Sequence, residues 1–316
     1  MHLLITGGSG FIGSYIVQET LNQGHTVTAM SRTGSLNSSK FPTANVSIFS
    51  HDLTGIEQLD LSSLGIDCVI HLAASLSGSY EEQYESTVVG TDKLMLAAKQ
   101  AGIRKVVGIS SISVLDYCNL TPMSTIDESI AVDSNILGMG RYASMKLQQE
   151  NVLRKHANEQ LKCTILRPGL VYDEKNLINA HAGIIKGPLC CLVNHDGEVP
   201  AVEVHGLAKA IISAAEHDLP NETTLHIVDD ELPSQSAYIA DLNRRGVLTK
   251  GCIRLPWQLL SGVVNIIGWL GAKLGILDKL PEVMLPKAFA SRLKPFKYSN
   301  AKAKDLLDWK PGQHFS

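Results

Sequence analysis

Several features are missing from this sequence. It has no run of five Lys or Arg, and its formal net charge is −3, so no basic field is offered to nucleic acid. It has no low-complexity tract and no repeat at a solenoid period. The six cysteines (Cys68, Cys118, Cys163, Cys190, Cys191, Cys252) show no C-x-x-C spacing, and no His stands at ligand spacing beside the vicinal pair. Free thiols in a reducing cytosol, and no metal site, are therefore expected. The first residues enter a strand-like run at once, which argues against a secretory leader. Charged residues make up 19% of the 316 and apolar residues 44%, an ordinary globular balance that allows one large α/β domain or two.

A clean membrane span is missing too. Residues 255–277, "LPWQLLSGVVNIIGWLGAKLGIL", are rich in apolar side chains but include Gln258, Ser261, Asn265, Lys273 and four glycines. That is poor for a bilayer span of about 20 apolar residues. Leu259, Leu260, Val263, Val264, Ile267, Leu270 and Leu274 follow a helical stripe. The favoured expectation is a helix packed on the domain or on a dimer partner, because its polar face is not rich in Lys and Arg. The alternative is a helix lying on a membrane surface.

What is present is alternation. Apolar strand-like runs fall at 3–6, 26–30, 46–49, 68–72, 106–110 and 164–167, with helix-like stretches at 11–23, 82–101 and 141–156 between most of them. This reads as β-α-β units building a parallel sheet with helices on both faces. The expected fold is a Rossmann-type, doubly wound α/β sheet with a smaller, mostly helical C-terminal region. Residues 1–168 are assigned to the nucleotide-binding domain, with 200–230 returning to it, and 169–316 mainly to substrate binding.

The stretch "TGGSGFIG" (Thr6 to Gly13) leaves a strand and opens a helix. Gly7 permits the turn, Gly10 lets backbone approach a pyrophosphate, and Gly13 lets helix and strand pack closely. Ser9, Phe11 and Ile12 lie in the same turn, and the helix N-terminus offers unpaired N–H groups to phosphate. The second strand ends in Ser31-Arg32, with no acid until Asp52. An acid there takes a ribose 2′-hydroxyl, whereas an Arg accommodates a 2′-phosphate, so NADP(H) is expected over NAD(H). Asp52 and Leu53, after the third strand, are expected at the adenine edge.

Tyr142 and Lys146 stand at i and i+4 on one predicted helix face. A free phenol has a pKa of about 10, and a nearby ammonium stabilises its anion. Tyr142 can then exchange a proton with a substrate oxygen. A hydroxyl donor is expected at the end of the fifth strand, where "ISSISV" supplies Ser110, Ser111 and Ser113.

The glycine cluster, "HLAAS" (His71 to Ser75), "ISSISV", Tyr142…Lys146 and "LRPGLVY" (Leu166 to Tyr172) come in the order and spacing of the extended short-chain dehydrogenases/reductases, which the chain resembles along nearly its whole length. "SNAKAKDLLDWKP" resembles the C-terminal signature of their nucleotide-sugar branch. The resemblance implies that Ser111 binds the carbonyl, Tyr142 is the acid/base, and Lys146 also binds the nicotinamide ribose. It places Ala73 and Ala74 under the cofactor, with Leu72, Ser110, Pro168 and Gly169 around it. It also implies a homodimer formed through the helices at 82–101 and 141–156. Four positions depart from the family pattern: Thr87 stands where Asn is frequent, Leu115-Asp116 where Tyr-Gly is, Asp173 after Val171-Tyr172 where Gly is, and His205-Gly206 where Asp-Asp is. His71 and His205 are read as structural.

Family dehydratases usually carry a Thr-Asp-Glu-type set where this chain has Ser111-Ile112-Ser113, so dehydration is disfavoured. Arg32 argues against a recycled NAD. The resulting expectation is an NADPH-dependent reductase of a keto group, carried on a nucleotide-activated sugar. The alternatives are a nucleotide-sugar 4-epimerase, a membrane-associated hydroxysteroid-type dehydrogenase, or a regulatory subunit without turnover. Asn176, Asn179 and Arg292 are the candidate substrate contacts.

Overall fold

All but one of the Val, Ile and Leu runs form strands that are covered on both faces; the run at 46–50 is an edge strand with Ile48 43% exposed. The computed structural model describes residues 1–32, 45–54, 61–177, 180–186, 189–248 and 252–312. In chain order the strands are β1 (His2–Thr6), β2 (Thr26–Ser31), β3 (Val46–Ser50), β4 (Cys68–His71), β5 (Lys105–Ile109), β6 (Thr125–Ile126), β7 (Lys162–Pro168), β8 (Leu170–Tyr172), β9 (Gly183–Lys186), β10 (Leu189–Asn194), β11 (Ala201–Glu203), β12 (Thr224–Ile227), β13 (Ile253–Pro256) and β14 (Lys297–Tyr298). The helices are α1 (Phe11–Asn22), α2 (Tyr80–Tyr84), α3 (Gly90–Gln100), α4 (Arg141–His156), α5 (Val204–Glu216), α6 (Gln235–Arg244), α7 (Trp257–Lys273), α8 (Pro286–Leu293) and α9 (Ala301–Leu307).

Seven strands form one parallel sheet in the order β3-β2-β1-β4-β5-β7-β12. This is the Rossmann-like, doubly wound arrangement. The winding reverses between β1 and β4, and the crevice at their carboxyl ends is the switch point where such sheets bind ligands. Side chains of α1, α5 and α9 fill the core on one face, and those of α3 and α4 fill it on the other. The C-terminal signature closes on the first face: Trp309 is buried and its Nε1 donates to the Gly206 carbonyl at 2.9 Å.

The structure differs from the sequence reading in three places. The expected helix over 82–101 is divided: α2 gives way to a π-helical segment, Glu85–Val89, before α3 begins. Ser86 of that segment faces the cleft described below, and π-segments inside helices commonly mark functional sites. The C-terminal region is helical for the most part, as expected, through α5 to α9, but it also carries small sheets (β13-β10-β9 and β11-β8) and pairs β14 with β6 of the first half. Finally, Cys252 is disulfide-bonded, whereas Cys68, Cys118, Cys163 and Cys191 are free. Residue spacing along the chain carries no sign of this, because β13, next to Cys252, reaches β10 only through sheet register, with Ile253 opposite Cys191.

One buried ion pair ties α4 to the sheet. Glu150 accepts from Arg167 Nε at 3.2 Å and Nη2 at 2.5 Å, and Arg154 Nη2 adds a contact at 2.9 Å. Burial alone would raise the Glu150 carboxyl, but the Arg167 charge outweighs it and holds the group below its ordinary range. Removing one member of a buried pair leaves an uncompensated charge and typically costs 3–5 kcal/mol. Arg167→Met is therefore expected to lower stability by about 3 kcal/mol in urea unfolding. Arg167→Met combined with Glu150→Leu should recover most of that loss, and equal losses in both variants would contradict this account.

Candidate active site

The carboxyl ends of β1, β2, β4 and β5 open into a cleft of 430 Å³. The β1–α1 turn forms one wall. Gly7 has φ +73° and Gly7 N donates to the Met30 carbonyl at 3.1 Å, which turns the chain sharply out of β1. A Cβ at Gly13 would lie 2.2 Å from the Gly7 carbonyl oxygen, so only glycine lets α1 approach this closely. No side chain caps α1 and its first turn holds no acid, which leaves a positive helix end facing the cleft beside Ser9, Gly10, Phe11 and Ile12.

Ser31 and Arg32 line the cleft past the end of β2, with Asp52 and Leu53 beyond β3. Ser31 is buried and, among the described residues, its Oγ has no hydrogen-bond partner, a cost that a ligand atom would remove. Asp52 is turned to its own loop, where Oδ1 accepts from Thr54 N at 3.0 Å and Thr54 Oγ1 at 3.1 Å. Leu72, Ala73 and Ala74 form the floor beyond β4, and Ser110, Pro168 and Gly169 close the far side. A glycine cradle, an uncapped helix end and an orphaned buried hydroxyl beside an arginine fit a dinucleotide. The sequence reading missed His51, Ser75, Leu76 and Ser86, which also line the cleft. Each lies in a loop or at an element junction, where no local pattern marks it.

Tyr142 and Lys146 enter from the first turns of α4. Tyr142 is 38% exposed, and burial at its hydroxyl end raises the phenol above its ordinary pKa. The Ser111 hydroxyl opposes this by favouring the phenolate. Ser111 Oγ accepts from Ser113 N at 3.2 Å and from Ser113 Oγ at 3.0 Å. With both acceptor positions used, the Ser111 proton is left to point at Tyr142 or at a substrate oxygen.

Lys146 is buried, and its Nζ donates to the Ile109 carbonyl at 2.8 Å and to Gln149 Oε1 at 2.9 Å. Burial pulls its pKa down to about 8. Of three N–H donors, one remains free for the cleft. The Gln149 amide is fixed in turn, because its Nε2 donates to the Ala73 carbonyl at 2.9 Å. Nε2 also lies 3.0 Å from His71 Nε2 and 3.1 Å from Thr91 Oγ1. His71 spans the layer, with Nδ1 at 2.7 Å from Thr6 Oγ1 and Nε2 at 2.7 Å from Thr91 Oγ1. Burial, reinforced by the Lys146 charge, drives its pKa to about 3, so the ring is neutral. Gln149 and Thr91 were not singled out in the sequence. Gln149 lies at i+3 from Lys146 on the same helix face, and that spacing was the available signal.

The positions that depart from the family pattern are structural at their contacts. Thr87 Oγ1 accepts from Ser75 N at 2.9 Å, Asp116 Oδ1 accepts from Cys118 N at 3.2 Å, and His205 Nδ1 pairs with Glu203 Oε1 at 2.7 Å. Asp173 accepts from Tyr15 at 3.0 Å and binds Asn176 through both its backbone N and its Nδ2, at 2.7 and 2.8 Å. Arg292 is paired with Glu282 at 3.0 Å. Asn179 lies outside the described residues.

The model of the NAD dependent epimerase/dehydratase family matches residues 3–222. Cinnamoyl-CoA reductase 1 of Petunia hybrida is 26% identical over 97% of this chain and 87% of that protein. A 3-beta-hydroxysteroid dehydrogenase of Mycolicibacterium neoaurum is 28% identical over 98% and 87%. Among solved structures, UDP-glucuronic acid 4-epimerase from Bacillus cereus in complex with NAD superposes with a TM-score of 0.70 at 19% identity, covering 100% of this chain and 95% of that one. The chain is a member of the NAD-dependent epimerase/dehydratase family, the extended short-chain dehydrogenases/reductases, and so of a group of NAD(P)-dependent oxidoreductases and epimerases.

Proposed function

We propose that this chain is an NADP(H)-dependent oxidoreductase that interconverts a ketone and a secondary alcohol, with Tyr142 as acid/base, Ser111 as the carbonyl-binding hydroxyl and Lys146 as the supporting cation. One observation carries the reading. Ser31-Arg32 and Tyr142-Lys146 share one cleft but lie on opposite sides of the β1–β4 switch point. Gly7, Gly10 and Gly13 with the α1 N-terminus would hold a pyrophosphate, Ser31 and Arg32 a 2′-phosphate, and the free N–H of Lys146 the nicotinamide ribose. When bound, the nicotinamide supplies or accepts the hydride. Ser111 and Tyr142 hold the substrate oxygen between two hydroxyls, and in reduction Tyr142 passes its proton to that oxygen. The Lys146 ammonium lowers the cost of the phenolate left behind.

The first substrate reading, a nucleotide-activated keto sugar, needs polar contacts for a diphosphate and a base. Asn176 and Arg292 are already engaged by Asp173 and Glu282. A second reading, an apolar alcohol or ketone of the hydroxysteroid type, is favoured by the cleft rim. Leu76 lines the cleft at 74% exposed. Arg141 Nη1 donates to the Gly78 carbonyl at 3.2 Å, which ties the loop after Leu76 to the start of α4 beside Tyr142. We take the apolar substrate as the better fit.

Three results are expected. Tyr142→Phe should lower turnover of a responsive ketone about 10²- to 10⁴-fold while NADPH affinity, read by fluorescence titration, stays within about twofold. Retained turnover would remove Tyr142 from its role. Arg32→Asp should weaken NADPH binding about tenfold or more, which is 1.4 kcal/mol or more, and leave NADH binding equal or tighter. Unchanged NADPH affinity would contradict the coenzyme preference. Turnover should also fall as pH rises through about 8, where Lys146 loses its charge. Gln149→Leu, which removes an acceptor of that ammonium, should move the fall to lower pH. An unmoved alkaline limb would show that Lys146 is not the titrating group.

A further inference from the structure

α7 is packed inside out. The side it turns to the protein fully buries only Val264, Gly268 and Gly271, with Trp257, Leu260 and Ile267 half-buried beside them. A Cβ on Gly268 would lie 2.3 Å from Pro286 Cγ, and one on Gly271 would lie 2.9 Å from Leu280 Cδ1, so these glycines are what allow the helix to dock. The large apolar side chains point away. Leu259 is 58% exposed, Ile266 62%, Trp269 57% and Leu274 69%, with Val263 and Leu270 between them. An ordinary surface helix has the opposite polarity. The expected stripe of seven residues thus splits: only Val264 is buried, Leu260 and Ile267 are half-buried, and Leu259, Val263, Leu270 and Leu274 face out. A contiguous exposed face of this kind marks an interaction surface.

Charge identifies the occupant. Between Asp241 and Asp278 the chain has no Asp or Glu, in a protein whose net charge is −3; Arg244 and Arg245 are paired with Asp241, so the charge that bears on this face is that of Arg254 and Lys273. Arg254 and Lys273 are exposed near the two ends of α7. Lys273 Nζ sits 4.0 Å above the Trp269 ring, a pairing suited to a headgroup layer, where Trp and Lys side chains gather. A second copy docked symmetrically through antiparallel α7 helices would bring Arg254 against Lys273 with no acid on the face to separate them. Among the described residues no helix is long and apolar enough to cross a membrane. α7 has 17 residues, a length of about 26 Å, so it can only lie along a surface. The segment that follows α7 meets the turn that opens α4, the helix of Tyr142. Leu277 Cδ2 lies 3.8 Å from where a Cβ on Gly138 would stand, and Glu282 accepts from Arg141 N at 2.7 Å.

We propose that the outer face of α7 docks on an anionic phospholipid bilayer, with Leu259, Val263, Ile266, Trp269, Leu270 and Leu274 entering the acyl boundary and Arg254 and Lys273 meeting lipid phosphates. The proposal stands apart from the substrate reading, because docking requires no turnover.

Flotation with two kinds of vesicle tests it: phosphatidylcholine alone, and equimolar phosphatidylcholine and phosphatidylglycerol. The wild-type chain should float with the anionic vesicles, and more weakly with the neutral ones. Ile266→Asp combined with Trp269→Asp should abolish flotation while leaving the urea midpoint and NADPH affinity unchanged, since both side chains are exposed. Arg254→Glu combined with Lys273→Glu should weaken binding to the anionic vesicles about tenfold or more and narrow the gap between the two lipids. Flotation that survives the Asp pair would overturn the proposal. So would a wild-type chain that stays with the soluble fraction while the Asp pair lowers its sedimentation mass, which would mark the face as a contact between copies of this chain.

Discussion

The candidate site depends on one buried ammonium. Lys146 stands away from water in a sheet–helix seam, where an unpaired charge would be costly. It is tolerated because the Ile109 carbonyl at the end of β5 and the Gln149 amide each accept one of its protons. The arrangement leaves one proton and one positive charge facing the cleft, one helical turn from Tyr142. Gln149 can point its oxygen at Lys146 only because its nitrogen is held by the Ala73 carbonyl on the cleft floor. Lysine position, helix rotation and floor geometry are therefore set together. A neutral His71 completes the layer, and the lysine charge helps to keep it neutral.

Much of this was legible in the chain. The glycine turn, the six apolar runs and the spacing of Tyr142 and Lys146 depend on local backbone rules and on helical periodicity, which a sequence displays directly. Ser31-Arg32 was legible because the end of the second strand has a fixed place in this topology. The polar layer behind Lys146 was not, since Thr6, His71, Thr91 and Gln149 come from four separate elements and meet only when the sheet forms. The π-helical segment at Glu85–Val89 was hidden for a related reason. Its apolar spacing is close to that of an ordinary helix, and the contact between Gly90 and Leu53 that accompanies it is a tertiary one.

α7 shows where periodicity misleads. A helical stripe predicts a buried face, and here the glycines are buried while the larger apolar residues stay outside. Periodicity records that apolar residues share a face but not which medium covers that face.

The most direct measurement is a crystal structure of the protein with NADP⁺. The account predicts the 2′-phosphate against Ser31 Oγ and the Arg32 guanidinium, and the nicotinamide ring beside Tyr142 with its ribose on Lys146. A coenzyme whose phosphate turns to solvent and whose nicotinamide lies away from Tyr142 would contradict it.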